Sequence, residues 1–170
     1  MINEYDDIED VKVYLAGPVK EAEDSGVGWR ETIAEKTSLT TLNPLDKYNS
    51  ETDPEDWSSR RIVLEDLEMI SQSDGVLVAY DGEPTWGTPM EIRYAHNSGI
   101  PVALAWTCDR QVSPWASQHV TLIRSDIERC AKVLEKFFQG QSMPFSDPST
   151  ELYSAKEGVE KVQLEMGVET

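Results

Sequence analysis

The sequence has few of the residues that form metal and redox sites. It contains two cysteines and two histidines among 170 residues. Cys108 and Cys130 show no C-x-x-C spacing, and His96 and His119 fit no metal-ligand spacing. We therefore expect no structural metal site, and two isolated cysteines favour a reduced protein.

Basic residues and long apolar runs are also scarce. The chain has 15 Lys plus Arg against 32 Asp plus Glu, a net charge of -17 at pH 7. Such a charge repels nucleic acid polymers and anionic membranes, although solubility and adaptation to high salt both remain as reasons for it. No apolar run has the length to cross a bilayer, and the start, "MINEYDDIED", is acidic where a signal peptide is basic and apolar. We expect a cytoplasmic protein without a membrane partner.

Short apolar runs alternate with segments of helical spacing along most of the chain. The predicted strands are Val11–Pro18, "LTTLNP" up to Pro44, "DGVLVAYDG", "IPVALAW" and His119–Ile123. The predicted helices are Val27–Lys36, "DWSSRRIVLEDLEMISQS", "TPMEIRYAHNSG" and Ser125–Phe138. Polar loops are predicted at Pro44–Glu55 and around "SPW".

This alternation predicts an α/β fold with a five-stranded doubly wound parallel sheet, flavodoxin-like or Rossmann-like, in the order 2-1-3-4-5. We expect one domain over residues 1–140 and an extension over 141–170 that forms a short helix or a subunit contact. In this order the loops after strands one and three, "AGPVKEAEDSG" and "DGEPTWGT", open one crevice. The segment "PTWGTPMEIRYA" therefore lies where such folds bind ligands.

Glu91 in this segment has two explanations. Thr88, Pro89 and Glu91 fit a capping box, with Thr88 as N-cap and Glu91 three residues inside the helix. The helical angle, however, places Glu91 between Tyr94 and Ala95 on the packed face. A carboxylate on that face indicates a functional role.

Asp66 repeats the pattern on the preceding helix. It lies four residues from both Ile62 and Ile70, on the apolar stripe. A salt bridge or a cap contact would explain it, but so would chemistry, because burying an unpaired carboxylate is costly. Two carboxylates at one crevice are typical of glycosyl chemistry, in which one attacks the anomeric carbon and the other handles a proton.

Several motifs together resemble the nucleoside 2-deoxyribosyltransferase family. They are "VYLAGP", "EDLEMI", "SDGVLVAY", "GTPMEIRYAHNSGIPV" and "SPW" before "HVTLI". The chain is most similar to the branch that carries "GWR" in the first helix and "SPW" after strand four. The resemblance covers about residues 11–138.

The resemblance implies a catalytic set. Glu91 would be the nucleophile that forms a covalent glycosyl-enzyme, Asp66 would help with the sugar and the proton, and Tyr14, at the end of strand one, would orient the nucleophile. It implies no cofactor, a small-molecule nucleoside or nucleotide and a free nucleobase as partners, and a homo-oligomer. The candidate substrate-binding residues are Gly17, Arg30, Asp81, Thr85, Trp86, Gly87, Thr88 and Trp115.

Some of these candidates have ordinary alternatives. Thr85 stands where the family has an aspartate near the base, so base recognition would differ from that of the long-studied members. Arg93 stands where a glycine is frequent and faces away from Glu91, so it would be surface charge or a subunit contact. Trp115 would stack on a base or simply pack. Arg30 would hold a 5′-phosphate or be solvated, and Asp81 would face the crevice or form a turn.

Three functions follow from the sequence. The first is deoxyribosyl transfer between bases, and the second is hydrolysis of 2′-deoxynucleoside 5′-monophosphates with Arg30 on the phosphate. The third is a nucleotide-binding module without turnover, against which two inward carboxylates argue.

Overall fold

A computed structural model describes residues 8–19, 26–47, 59–83 and 85–140. The strands are β1 Lys12–Ala16, β2 Thr40–Leu42, β3 Gly75–Tyr80, β4 Val102–Trp106 and β5 Leu122–Arg124. The α-helices are α1 Val27–Lys36, α2 Ser59–Ser71, α3 Gly87–Asn97, α4 Pro114–His119 and α5 Ile127–Phe138. Short 3₁₀ helices span Ile8–Asp10 and Pro44–Lys47.

The strands form one parallel sheet in the order β2-β1-β3-β4-β5, which confirms the predicted fold class. β1 pairs with β3 from Val13 opposite Gly75 to Ala16 opposite Val78. The chain order reverses between these two strands, so the loops that follow them diverge at the same edge of the sheet. That edge is where open α/β sheets bind ligands.

Alternate residues of each strand pack on opposite faces of the sheet. On one face, Val13, Leu15 and Leu77 pack with side chains of α1 and α5 such as Ile33 and Leu134. On the other face, Tyr14, Val76 and Val78 pack with Ile70 of α2 and Ile92 of α3. The central strands are apolar throughout because helices cover both faces. Tyr14 is thereby placed on the same face as α2 and α3.

Three details of the predicted elements are wrong. The "SPW" segment is not a loop: Ser113 caps the short helix α4 by accepting a hydrogen bond from the Trp115 backbone N–H. His119 belongs to that helix, so the fifth strand begins at Leu122 rather than at His119. The last helix starts at Ile127 because the Asp126 side chain accepts a hydrogen bond from the Arg129 N–H.

The extension predicted at residues 141–170 lies outside the described residues, and so does the polar loop predicted at Pro44–Glu55 except for Pro44–Lys47, which form a 3₁₀ helix. Among the helices of the described ranges, none is both long enough and apolar enough to span a bilayer.

Candidate active site

The two carboxylates singled out in the sequence lie on helices that pack together. Asp66 is in the second half of α2, Glu91 is in the second turn of α3, and α2 contacts α3 on the Tyr14 face of the sheet. Both side chains are partly buried. The helical spacing in the sequence predicted that Asp66 and Glu91 face the core, and the structure places both side chains there.

Tyr14 and Glu91 are joined directly. The Tyr14 hydroxyl donates a hydrogen bond of 2.8 Å to Oε1 of Glu91. Tyr14 is fully buried and lies in the middle of β1, not at the carboxyl end of the strand as the sequence analysis placed it. Tyr14, which the sheet holds in place, thus fixes Oε1 of Glu91. The other carboxylate oxygen, Oε2, is left for a ligand.

The capping box predicted for Glu91 is wrong. The N-cap of α3 is Trp86, no side-chain hydrogen bond caps this helix, and Glu91 is its fifth residue. Thr88, the predicted N-cap, is 2% exposed and lies inside the first turn. Glu91 is too far into the helix to satisfy its first amides, so its inward position has no capping role.

Asp66 has a cationic partner that the sequence analysis missed. Nζ of Lys47, in the 3₁₀ helix after β2, lies 2.5 Å from Oδ1 of Asp66. The salt bridge weighed as the ordinary explanation of Asp66 therefore exists. The only sign of this partner in the sequence is that Lys47 follows the second strand in a strongly acidic chain.

Burial and mutual repulsion raise the proton affinity of the site. The pKa of Glu91 is raised from 4.5 to about 7, mainly by burial; the negative charge of Asp66 contributes to the increase, and the Tyr14 hydrogen bond and the cations Arg30 and Lys47 oppose it. Burial also raises the pKa of Asp66, against the lowering effect of Lys47. The pKa of Tyr14 is strongly raised by burial and by both carboxylates, so its hydroxyl stays protonated and donates.

Arg30 is buried and contacts backbone carbonyls on both sides of the β1–α1 loop. Its Nη1 donates to the Gly26 carbonyl at 2.5 Å and its Nη2 to the Gly17 carbonyl at 3.2 Å, and its guanidinium stacks on Trp29. With 1% exposure it is not the solvated arginine weighed as the alternative. The two hydrogen bonds hold Gly17, just after β1, close to Gly26, just before α1. A phosphate contact at Arg30 stays a prediction.

Gly17 needs its lack of a side chain. A Cβ at this position would lie 2.9 Å from the Ala79 carbonyl oxygen and 3.1 Å from the ring of Trp29. The backbone after β1 therefore passes close to β3 at the mouth of the crevice, and no other residue fits there without displacement.

The remaining candidates line the segment between β3 and α3. Asp81 is exposed and accepts the Glu83 N–H, as in an Asx turn, which is the alternative weighed for it. Thr85 is partly buried, Gly87 is exposed and Trp86 is 88% exposed. Their roles in substrate binding stay predictions.

Trp115 lies on α4, a helix linked to α3. Its indole is 79% exposed and stacks on His119. Arg93, four positions before the end of α3, donates to Nε2 of His119, whose Nδ1 bonds the Trp115 carbonyl. Arg93 thus joins α4 to the helix that carries Glu91, and Trp115 presents an open aromatic surface beside it.

Two solved structures show the same fold. A 2-deoxyribosyltransferase from the psychrotolerant bacterium Bacillus psychrosaccharolyticus aligns with a TM-score of 0.61 and 20% identity over 71% of this chain and 90% of that one. A conserved protein from Enterococcus faecalis V583 aligns with a TM-score of 0.51 and 19% identity, over 91% and 98% of the two chains. A comparison with curated proteins found no match.

The decisive comparison is with a family model. The model described as nucleoside 2-deoxyribosyltransferase matches residues 13–161. This range contains the whole set of Tyr14, Asp66 and Glu91 and all but the first residue of the sheet. The branch defined by "GWR" and "SPW" stays a prediction. The chain belongs to the nucleoside 2-deoxyribosyltransferase family.

Proposed function

We propose that this protein cleaves the N-glycosidic bond of 2′-deoxynucleosides and transfers the deoxyribosyl group to another nucleobase. The observation that carries the proposal is the convergence of Glu91 and Asp66 on one face of the sheet, with Tyr14 hydrogen bonded to Glu91. Family membership supplies the reaction class. A binding module would gain nothing from two carboxyl groups whose burial raises both pKa values.

The first half of the reaction breaks the bond to the departing base. The free oxygen of the Glu91 carboxylate attacks the anomeric carbon, the glycosidic electron pair leaves with the base nitrogen, and the proton held by the pair of carboxyl groups passes through Asp66 to that nitrogen. Two carboxyl groups that share one proton near neutral pH can fill both roles at once. Tyr14 holds the attacking carboxylate in position throughout.

The second half reverses these steps. The nitrogen of an incoming base attacks the anomeric carbon, the ester bond to Glu91 breaks, and Asp66 takes the proton that the base nitrogen loses. If water enters instead, the products are deoxyribose and free base. The exposed indoles of Trp86 and Trp115 offer aromatic surfaces on which either base could stack.

The contacts of Arg30 explain its burial without a 5′-phosphate. Both Nη atoms donate to backbone carbonyls, and the guanidinium is buried against Trp29. These hydrogen bonds tie Arg30 to the backbone on both sides of the β1–α1 loop and account for its burial. We therefore place hydrolysis of monophosphates second to base exchange.

Base exchange is tested by incubating the protein with each 2′-deoxynucleoside, and separately with each 5′-monophosphate, with and without a second free base. We expect a new deoxynucleoside only when the second base is added, identified by chromatography. Free base released from monophosphates alone would favour the hydrolase, and nucleoside binding in calorimetry without any turnover would favour the binding module.

Tyr14→Phe should slow base exchange without preventing it. The variant removes a hydrogen bond to a charged group, worth about 1.5–3 kcal/mol, so kcat should fall roughly 10- to 100-fold. Because that hydrogen bond lowers the pKa of Glu91, the pH profile should also move to higher pH. Steady-state kinetics from pH 5 to 9 would measure both changes. An unchanged kcat would show that Tyr14 only packs.

A further inference from the structure

Lys47 lies outside every motif that supports the family resemblance, yet it contacts the candidate active site. It ends the 3₁₀ helix Pro44–Lys47, which follows β2 and packs beside β1. Leu42, the last residue of β2, is the register partner of Tyr14. The fold therefore brings Lys47 to the face of the sheet that holds Asp66 and Glu91.

The ion pair between Lys47 and Asp66 differs in burial from the others in the described ranges. The two side chains are 12% and 19% exposed, whereas the partners in Lys36–Glu128 are 52% and 34% exposed. An exposed pair contributes little to stability, and a buried pair repays its desolvation cost only in favourable geometry. The burial of Lys47 is thus better explained by a role at the site than by stability.

The charges around the two carboxyl groups show what this role is. Asp66 interacts with Lys47, with Glu65 of its own helix and with Tyr14. Glu91 interacts with Tyr14, Asp66, Arg30 and Lys47. Both Nη atoms of Arg30 donate to backbone carbonyls, whereas Nζ of Lys47 contacts a carboxylate oxygen of the site.

We propose that Lys47 is a positioning residue of the transfer reaction, which fixes Oδ1 of Asp66 and supplies positive charge to the pair of carboxyl groups. This inference rests on the proposed function. With Oδ1 held, the carboxyl group that exchanges a proton with the base has a fixed orientation. The ammonium group also lowers the pKa of both Asp66 and Glu91, so it sets the pH range in which one of them is ionised.

The test compares Lys47→Met with Lys47→Arg, using Lys36→Met as the matched control. Lys36→Met also removes a lysine from an ion pair, but from an exposed one. Lys47→Met should shift both limbs of the kcat/KM profile to higher pH, by about one unit or less, and should lower kcat at pH 6 roughly 10-fold. Lys47→Arg should keep the wild-type profile, and so should the control.

A second measurement does not depend on turnover. Carbon-13 NMR of labelled glutamate carboxyl groups follows the titration of Glu91, whose signal is identified by its loss in Glu91→Gln. Lys47→Met should raise its midpoint. A lower melting temperature with an unchanged midpoint and pH profile would overturn the proposal and leave Lys47 a structural contact. A raised midpoint in a protein that exchanges no base would instead count against the proposed function alone.

Discussion

Glu91→Gln is expected to abolish base exchange while the protein still folds and binds nucleosides. Glutamine has nearly the same shape, and its amide oxygen can still accept the Tyr14 hydrogen bond. It cannot form the glycosyl ester, because an amide is a poor nucleophile. Loss of a nucleophile typically lowers kcat by roughly 10⁴-fold or more, so kcat should fall by at least that factor.

The assay is single-turnover base exchange, with Glu35→Gln as control because Glu35 is exposed on α1. The control should keep wild-type activity. Calorimetry should show nucleoside binding by Glu91→Gln within a few-fold of wild type. A variant that retains more than a hundredth of wild-type kcat would show that Glu91 is not the nucleophile.

The covalent step has its own signature. When wild-type protein is denatured during turnover in the absence of an acceptor base, mass spectrometry should find a deoxyribosyl group on the peptide that contains Glu91. Glu91→Gln should show none. An adduct on the α2 peptide that contains Asp66 would mean that the two carboxyl groups have exchanged roles.

The fold was predictable because each strand has a local signal. "GVLVAY" and "VALAW" are apolar throughout, as buried parallel strands are, and Asp-Gly turns or Pro mark their ends. Helical spacing of Ile62, Val63, Leu67 and Ile70 predicted the buried stripe of α2, and of these only Val63, at 54% exposure, lies outside it. Such patterns involve only residues that are close along the chain, so they can be recognised in a single sequence.

The errors arose where packing between distant segments decides the structure. Thr88 has the sequence context of an N-cap, but its burial places it inside the helix, and α3 begins one residue earlier, at Gly87. The six-residue helix α4 is too short to show a period. The Lys47–Asp66 pair joins residues 19 positions apart through the fold, and no local pattern predicts it.

Glu91 should also make the protein less stable as the pH rises. Its pKa of about 7 in the folded chain exceeds its ordinary value of 4.5, so between these values the folded state binds more protons than the unfolded state. The free energy of unfolding then falls as pH rises through this window. The difference between the two pKa values corresponds to a cost of up to about 3 kcal/mol above pH 7.

Glu91→Gln removes this cost because a neutral amide does not ionise. We expect it to match wild type near pH 5 and to exceed it at pH 8 by up to about 3 kcal/mol, or roughly 6–12 °C in melting temperature. Urea unfolding at several pH values from 5 to 8.5 measures the difference, and comparison of the two proteins cancels the titration of other carboxyl groups. If the difference in unfolding free energy between Glu91→Gln and wild type does not change with pH, the pKa of Glu91 is the same in the folded and unfolded states. A growing difference would mean that the same carboxylate that lowers stability is the one that the reaction requires.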